Sequence, residues 1–415
     1  MRISTSQMQQ QGVFSLLEQQ AKLSKLQNQL ATGKRMITPA DDPAASARAL
    51  DLEKSIGTLA RYSENADRAE HRLQLEEAIL DEVSTNLTRL RDLTLQANNA
   101  TQDAAGRKMI GAEVDQILAH LVELANSSDG NGEHLFGGTR TKTEPFIASG
   151  GQVTYHGDQG QRMNQVGPSR QIASTHSGHE VFMSIPGGNG RYIATAGDNQ
   201  GTVVVTDVEG AQWMDPPQNA RIEFSYHEGE PASISASLIS GGESVDLGNV
   251  TLKDSRFVLE SQEVSLGGKD YTLPELSVGF AGTPADGDTF SIEPSRGDSL
   301  FNIVQRLSDA MHAGGDSDVE RVAFNNIANR VLEELDQANE HLLGLRADNG
   351  AKLNALDQER SANEVAILEL KATLSETQDL DYAQAISDFQ LKLVGLQAAQ
   401  QSYMKVQGLS LFNYL

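Results

Sequence analysis

Residues Ile56 to Ala97 read "IGTLARYSENADRAEHRLQLEEAILDEVSTNLTRLRDLTLQA" and indicate how the flanks of this 415-residue chain fold. Apolar side chains recur here every three or four residues, which places them on one helix face and is typical of a coiled-coil seam. At 1.5 Å per residue the segment predicts a helical rod about 60 Å long. Glu76 is the one interruption of the stripe. The stripe consists of Leu59, Tyr62, Ala66, Ala69, Leu73, Leu80, Val83, Leu87 and Leu90.

Further segments on both flanks show helical periodicity. A second helix is predicted near Gly111 to Ala125, with one aliphatic side formed by Val114, Ile117, Leu118, Leu121 and Leu124. A looser stripe follows later, at Val322, Ala323, Asn326, Ala328, Leu332, Leu335, Leu342, Leu345, Leu353 and Leu356. Proline and glycine disfavour helix interiors, and nine of eleven prolines and 24 of 37 glycines lie between residues 137 and 297. We therefore expect the flanks to form an elongated antiparallel bundle.

The central region predicts a different structure. Its segments "TVVVTDV", "ARIEFSYHEG", "ASISASLIS", "YTLPELSVGF" and "GDTFSIEPS" are short, β-branched or alternating, and are separated by turn residues. This pattern is typical of a mostly antiparallel β-domain. The stretch from Pro145 to Gly160 adds one or two hairpins beside the bundle. The predicted fold class is thus α+β: a helical bundle or coiled coil from both termini, with a β-domain inserted in the middle.

Composition excludes several classes of function. The formal net charge of −24 disfavours nucleic acid and anionic membrane surfaces as partners. The absence of cysteine excludes disulfides, thiolate metal sites and cysteine nucleophiles. Because no stretch is apolar over about 18 residues and the N-terminus has no apolar core of a signal peptide, we expect neither a spanning helix nor an ordinary secretory signal.

Both ends of the chain are apolar and poor in charge. From Tyr382 to Leu415 only Asp388, Lys392 and Lys405 are charged. The first 38 residues contain one acidic group, Glu18, against five basic ones. A short helix of this kind is marginal in water without packing. We therefore expect the two terminal helices to pack against each other or against further copies of the chain.

The apolar stripes of the two ends form a predicted assembly interface that orders and becomes buried on polymerisation. The alternative is that the terminal helices complete the bundle of the single chain. Strong hydrogen-exchange protection of residues 389–403 in the free chain would favour that alternative. The predicted interface comprises Val13, Leu16, Leu23, Leu26, Leu30, Tyr382, Ile386, Phe389, Leu393, Leu396, Tyr403, Leu411 and Phe412.

The segment "ITPADDPAAS" predicts a joint between a terminal helix and the bundle. Adjacent carboxylates at Asp41 and Asp42 could suggest a metal or acid-base site, but no other ligand lies nearby in sequence. The structural interpretation is that Thr38 or Asp42 caps a helix whose first residue is Pro43, and that Pro39 fixes the bend.

Other candidate sites are weak. The glycine-rich segments 187–191 and 197–201 do not have the Lys-Ser/Thr ending of a phosphate loop, so they predict turns. "DGNGE", from Asp129 to Glu133, has His134 where a calcium loop requires glycine. His176 and His179 have loop surroundings without a third ligand, which predicts a solvated loop. We expect no catalytic, metal or cofactor site, and hence no enzyme.

Several quoted motifs resemble the bacterial flagellin family. The similarity covers both flanks and part of the insert, in the order in which the family has them. Three of the motifs favour the branch of the family that forms the hook-filament junction: "LFGGT", the stretch from Pro145 to Asp158, and "SLFNYL". The motifs are "MRIST", "LATGKRMITPADDPAASARALDLEKSI", "RLRDLTLQANNAT", "LFGGT", "TPADGDTFSIEPS" and the terminal "SLFNYL".

The resemblance implies nested domains. Paired terminal helices would line an inner tube, the bundle would surround it, and the β-domain would lie outside. The implied bounds are 1–45 for the N-terminal tube segment, 46–185 for the first part of the bundle with its hairpins, 186–296 for the β-domain, 297–375 for the second part of the bundle, and 376–415 for the C-terminal tube segment.

The resemblance also implies a structural, self-assembling protein at the hook-filament junction. Its implied partners are copies of itself, hook-associated protein 1, flagellin, and an export chaperone with the flagellar type III export apparatus. The implied location is outside the cell, in the flagellum. Two alternatives remain open: the filament subunit flagellin itself, and a surface β-domain on a helical stalk with binding or hydrolytic activity.

Overall fold

The structure is a computed structural model that describes residues 5–229, 233–253 and 255–408. The helices are α1 (Thr5–Thr32), α2 (Pro43–Ala97), α3 (Ala104–Ala125), α4 (Gly178–Phe182), α5 (Leu300–Ala313), α6 (Asp318–Gln378) and α7 (Tyr382–Gly408). The strands are β1 (Phe146–Ser149), β2 (Gln152–Tyr155), β3 (Met163–Gln165), β4 (Gln171–Ala173), β5 (Ile185–Pro186), β6 (Tyr192–Ala196), β7 (Val204–Gly210), β8 (Arg221–His227), β9 (Ser233–Ser240), β10 (Glu243–Lys253), β11 (Arg256–Leu259), β12 (Gln262–Leu266), β13 (Lys269–Leu273), β14 (Leu276–Ala281), β15 (Thr289–Pro294) and β16 (Gly297–Asp298). The α+β fold class predicted from the sequence is confirmed.

The chain divides into two compact units. The first contains the described residues of 1–66, 166–170 and 357–415, and the second contains 67–165 and 171–356. The long helices α2 and α6 each contribute residues to both units. Among the described residues, no helix is both long and apolar enough to cross a membrane.

The helix predicted from residue 111 begins earlier than expected. α3 starts at Ala104 because Asp103 caps it: the Asp103 Oδ1 accepts a hydrogen bond from the Gly106 backbone nitrogen at 2.7 Å. Asp316 Oδ1 accepts a further bond from the Ala104 nitrogen at 2.7 Å. Together these carboxylates satisfy donors that the first helical turn leaves unpaired.

The second unit contains two apolar cores. One core lies between helices and includes the stripe of α2, whose Leu80, Val83 and Leu90 are completely buried. Phenylalanine rings pack into the same core, with Phe136 and Phe182 edge to face at 5.2 Å between centroids. The other core lies in the β-region, where alternate residues of the strands point inward.

The β-region is an eight-stranded sheet of antiparallel pairs in the order β6-β15-β8-β9-β10-β11-β14-β7. The mostly antiparallel domain expected from the sequence is therefore present. Its edge strand β7 is covered by side chains of α6: Asn326 Oδ1 accepts from the Val205 nitrogen at 2.8 Å, and Asn329 Nδ2 donates to the Val205 carbonyl at 3.3 Å. Covering an edge in this way removes a template for strand addition.

Candidate assembly surface

The two terminal helices pair with each other in the first unit. A Cβ added at Gly12 would lie 3.2 Å from the Tyr403 ring, and one added at Gly33 would lie 2.8 Å from the Tyr382 hydroxyl. An early residue of α1 thus meets a late residue of α7, and the converse holds at the other end, so the pair is antiparallel. The absence of a side chain at Gly12 and Gly33 makes room for the two tyrosines.

The residues of the predicted interface do not all lie on the same face of this pair. Leu23 is buried, with 8% of its surface exposed. A second group is half-buried: Leu16, Leu26, Leu30, Phe389, Leu396 and Tyr403. A third group is exposed: Val13, Tyr382, Ile386 and Leu393. Leu411 and Phe412 lie outside the described residues.

Sequence reasoning missed the most exposed apolar side chains of the pair. The stripes from the sequence include the residues that pack between the helices as well as four exposed ones. The missed side chains are Phe14, Leu17, Leu391, Val394 and Met404, with Phe14 71% and Leu391 69% exposed. Their signal in the sequence was the scarcity of charge on both helices. We call these five residues the outer apolar face.

The segment between α1 and α2 is tied to the segment between α6 and α7. The Arg35 nitrogen donates to the Gln378 carbonyl at 2.7 Å, and the Leu380 nitrogen donates to the Gly33 carbonyl at 2.9 Å. The Arg35 guanidinium also donates to the Thr377 carbonyl at 3.0 Å. The α1–α2 and α6–α7 connections therefore lie side by side within the first unit.

Asp41 and Asp42 have separate structural tasks in the same segment. Asp41 accepts from Lys25 at 2.6 Å and from the backbone nitrogens of Ile37 and Thr38 at 3.0 Å each. The hydrogen bond from Lys25, followed by those from the backbone, holds the pKa of Asp41 well below its usual range. Asp42 Oδ1 accepts from the Ala45 nitrogen at 3.0 Å.

Asp42 stands at the position of the expected cap: α2 begins at Pro43, and the Asp42 carboxylate accepts from the nitrogen three residues later. Thr38, the other candidate for this cap, instead pairs with Asp41: its carbonyl accepts from the Asp41 nitrogen at 3.0 Å. Pro39 lies in the turn between the two helices. In the part of the chain that the structure describes, no group of three or more metal-ligating side chains forms.

The glycine-rich segments form turns, as predicted. In residues 187–191, Asn189 Oδ1 accepts from the nitrogens of Arg191 and Tyr192 at 3.0 and 2.9 Å. In residues 197–201, the nitrogens of Gln200 and Gly201 donate to Asp288 at 2.8 and 3.2 Å. A phosphate site requires backbone nitrogens that are free to bind the anion. The nitrogens of Gln200 and Gly201 are instead bonded within the chain.

The solvated loop predicted for His176 is wrong. Only 2% of the surface of His176 is exposed, because the loop inserts against α2 and α6. Its Nδ1 lies 2.8 Å from Glu76 Oε1, and its Nε2 lies 2.9 Å from Asp348 Oδ2 and 3.0 Å from Lys352 Nζ. His179 lies at the start of the short helix α4, where its Nδ1 is 3.1 Å from the Ser184 hydroxyl.

The same contact explains the interruption of the α2 stripe. Glu76 has no exposed surface, and its Oε1 also accepts from the His176 backbone nitrogen at 3.0 Å. Burial alone would lower the pKa of His176, but the hydrogen bond and charge of Glu76 outweigh it, and the pKa is raised. A buried carboxylate needs such a partner, so this pair supports the fold.

The chain is similar in sequence to known flagellar proteins. The bacterial flagellin N-terminal helical region matches residues 3–141. Flagellar hook-associated protein 3 of Salmonella typhimurium is 34% identical over 186 residues, which cover 45% of this chain and 58% of the relative. The match thus spans less than two thirds of the length of that relative.

Solved structures extend the similarity to most of the chain. FlgL from Xanthomonas campestris has a TM-score of 0.67 at 27% identity, covering 78% of this chain and 99% of that one. The flagellar junction protein FlgL from Legionella pneumophila has a TM-score of 0.63 at 29% identity, covering 80% of this chain and 100% of that one. The resemblance predicted from the sequence is confirmed: residues 3–141 match the flagellin N-terminal helical region, and the chain resembles flagellar hook-associated protein 3 in sequence and in fold.

Proposed function

We propose that this chain is a structural, self-assembling protein of the bacterial flagellum that forms the junction between hook and filament. The observation that carries the proposal is the outer apolar face of the paired terminal helices, in a chain that resembles flagellar hook-associated protein 3. Several large apolar side chains exposed on one helix pair mark a surface for association. Burying each of them would contribute about 1.5 to 3 kcal/mol before ordering entropy is subtracted.

We further propose the neighbours and the route of this protein. Its partners are copies of itself, hook-associated protein 1 on one side and flagellin on the other. It reaches the flagellum outside the cell unfolded, through the flagellar type III export apparatus, and a chaperone holds its C-terminal helix beforehand. The joint residues Thr38, Pro39, Asp41, Asp42 and Pro43 connect the tube-forming helices to the bundle. No catalytic activity is part of the proposal.

The gene deletion tests the proposed position in the flagellum. Cells without the protein should carry hooks that have no filaments and should shed flagellin into the medium. Expression of the full chain should restore filaments. Hooks with normal filaments in the deletion strain would contradict the proposal.

A truncated chain tests the role of the C-terminal helix. A chain that ends before Ser387 should remain soluble but should not restore filaments, because most of α7 is missing. If the truncated chain kept a binding or hydrolytic activity of its own, the protein would be a surface β-domain on a stalk instead.

The second candidate is flagellin itself, which the match to the flagellin N-terminal helical region favours. A filament subunit would be the bulk component of isolated filaments, and its deletion would leave no other filament protein to shed. Quantifying the chain relative to hook protein in purified flagella separates the two functions, since a junction protein is present only in a small, fixed ratio.

A further inference from the structure

A polar cleft of about 290 Å³ opens beside α2 in the second unit. Its donors come from three elements: α2, the turn after α3, and the start of β3. A space of this size holds a side chain rather than a single water molecule. The donors are Arg68, His71, Arg72, Asn131, Arg162 and Asn164.

The two carboxylates of the cleft are already neutralised within the chain. Arg72 Nη1 lies 2.9 Å from Asp129 Oδ2 and 3.0 Å from Glu133 Oε2. Arg162 Nη1 lies 2.6 Å from the same Glu133 oxygen. Asp129 Oδ1 also accepts from the backbone nitrogens of Asn131 and Glu133 at 2.9 and 3.0 Å. Although burial opposes it, these bonds and the nearby arginines hold the pKa of Asp129 below its usual range.

Donor capacity remains in the cleft after these bonds are counted. The Arg162 side chain is 48% exposed, and its described bonds use only Nη1. Arg72 is 8% exposed, and its Nε has no hydrogen-bond partner among the described residues. The lining contains three arginines against two carboxylates, so the cleft is cationic in a chain whose formal net charge is −24.

We infer that this cleft binds a carboxylate side chain of a second copy of the chain. The inference rests on the proposed function, in which copies of the chain stack on one another. Copies that each carry a charge of −24 repel, and a cationic cleft that receives a neighbour's Asp or Glu reduces this repulsion locally. An arginine fork binds a carboxylate with two parallel hydrogen bonds, which also fixes the orientation of the neighbour.

Photo-cross-linking in assembled flagella tests the inference. Asn131 is exposed at the tip of the turn, so Asn131→p-benzoylphenylalanine should leave the fold intact. Irradiation of purified flagella should yield an adduct of twice the mass of the chain, in which both peptides come from this protein and the captured peptide contains Asp or Glu. The control is the same replacement at Met109, which is 73% exposed on α3 and does not line the cleft.

A charge variant separates recognition from mere proximity. When Arg162→Gln is added to the chain that carries the photo-cross-linker at position 131, the adduct yield should fall several-fold. Raised salt during reassembly should lower the yield when Arg162 is intact, because exposed ion pairs are screened. If flagella contain the Asn131 variant at normal level but yield no adduct, or an adduct with a different protein, the inference alone is overturned. Absence of the unaltered chain from flagella would overturn the proposed function, and the inference with it.

Discussion

The terminal helix pair and the helical core of the second unit have similar apolar stripes, but the two stripes are covered to different degrees. In the core, Leu73, Leu80 and Leu90 of α2 have no exposed surface. In the terminal pair, half of the chosen stripe is only partly buried, and Phe14 and Leu391 on the outer face are mostly exposed. The spacing of apolar residues thus predicts a helix and one packing face. It does not show how many partners a helix has.

The two regions also differ in how deeply their charged side chains are buried. The helical core contains buried ionisable groups held by partners, such as Glu76 with His176. In the terminal pair, by contrast, the ion pair of Lys22 with Glu18 is exposed on both sides. Exposed pairs of this kind contribute little to stability. Substitutions in the two regions should therefore separate assembly from folding.

The largest expected effect is loss of assembly from a charge on the terminal pair. Leu391→Asp on the outer face should abolish incorporation into flagella, because the buried, unpaired carboxylate would be costly in the assembled state. The free chain should retain its helix content and unfolding midpoint, since Leu391 is 69% exposed. Filament counts by electron microscopy and circular dichroism of the purified chain check the two parts.

Phe389→Asp and Leu396→Asp test residues that lie between the two terminal helices rather than on the outer apolar face. Both side chains are half-buried, so these variants should abolish incorporation and also weaken the pairing of α1 with α7 in the free chain. If Leu391→Asp assembled normally while the two inner variants did not, the outer apolar face would have no role in assembly.

Removal of Glu76 should have the largest effect on folding. Glu76→Ala leaves His176 buried without its carboxylate, and breaking a buried pair in this way costs about 3 to 5 kcal/mol. The matched control is Asp348→Ala, which removes the carboxylate on the other side of the same imidazole. The Asp348 side chain is 53% exposed, so its loss should cost much less. Urea unfolding of both variants measures the difference, and equal losses would contradict the assignment.

A pair of truncation variants compares the α2 stripe with the outer apolar face. Leu80→Ala should lower the free energy of unfolding by about 2 to 5 kcal/mol, because the surrounding core cannot fill the space. Val394→Ala, at a side chain that is 63% exposed, should change it by less than about 0.5 kcal/mol. Chemical denaturation of the free chain checks both values. A large effect of Val394→Ala would mean that the outer face is already covered in the single chain.

Sequence reasoning succeeded where the information is local. Residues that lie close together in sequence determine the helical periodicity, the cap by Asp42 and the alternation of the strands. It failed where the partner is distant: Glu76 was recognised as an interruption, but His176 lies 100 residues away and no spacing rule joins them. The early start of α3 had a local signal, an aspartate at the cap position, that was missed. The outer apolar face was missed because its five residues fall outside the 3–4 stripes chosen on the two helices.

Stability should fall by about 2 kcal/mol as the pH rises through 7, because of Glu333. Burial, followed by the charges of Glu334 and Asp207, raises the pKa of Glu333 from 4.5 to about 7, and Arg330 opposes this only in part. The folded state therefore binds the proton more tightly than the unfolded state. The stabilisation is complete below about pH 4.5 and is lost as the pH rises through 7. His176, whose pKa is also raised, acts in the same direction.

Urea unfolding at several pH values between 5 and 8 measures this slope. Glu333→Gln should flatten it, because the amide does not titrate, whereas Glu340→Gln at an exposed position of the same helix should leave it unchanged. A slope that stays the same in Glu333→Gln would assign the whole effect to other groups, with His176 as the next candidate.

A small effect is expected at the cap of α2, where the terminal pair joins the long helix. Asp42→Ala removes the acceptor for the Ala45 nitrogen and should lower the free energy of unfolding by about 1 kcal/mol. Asp42→Asn keeps an oxygen in the same position and should restore most of the loss, because capping depends on the acceptor more than on the charge. Incorporation into flagella should weaken in the alanine variant and recover in the asparagine variant. Equal assembly defects in both variants would show instead that the Asp42 charge itself contacts a neighbouring subunit.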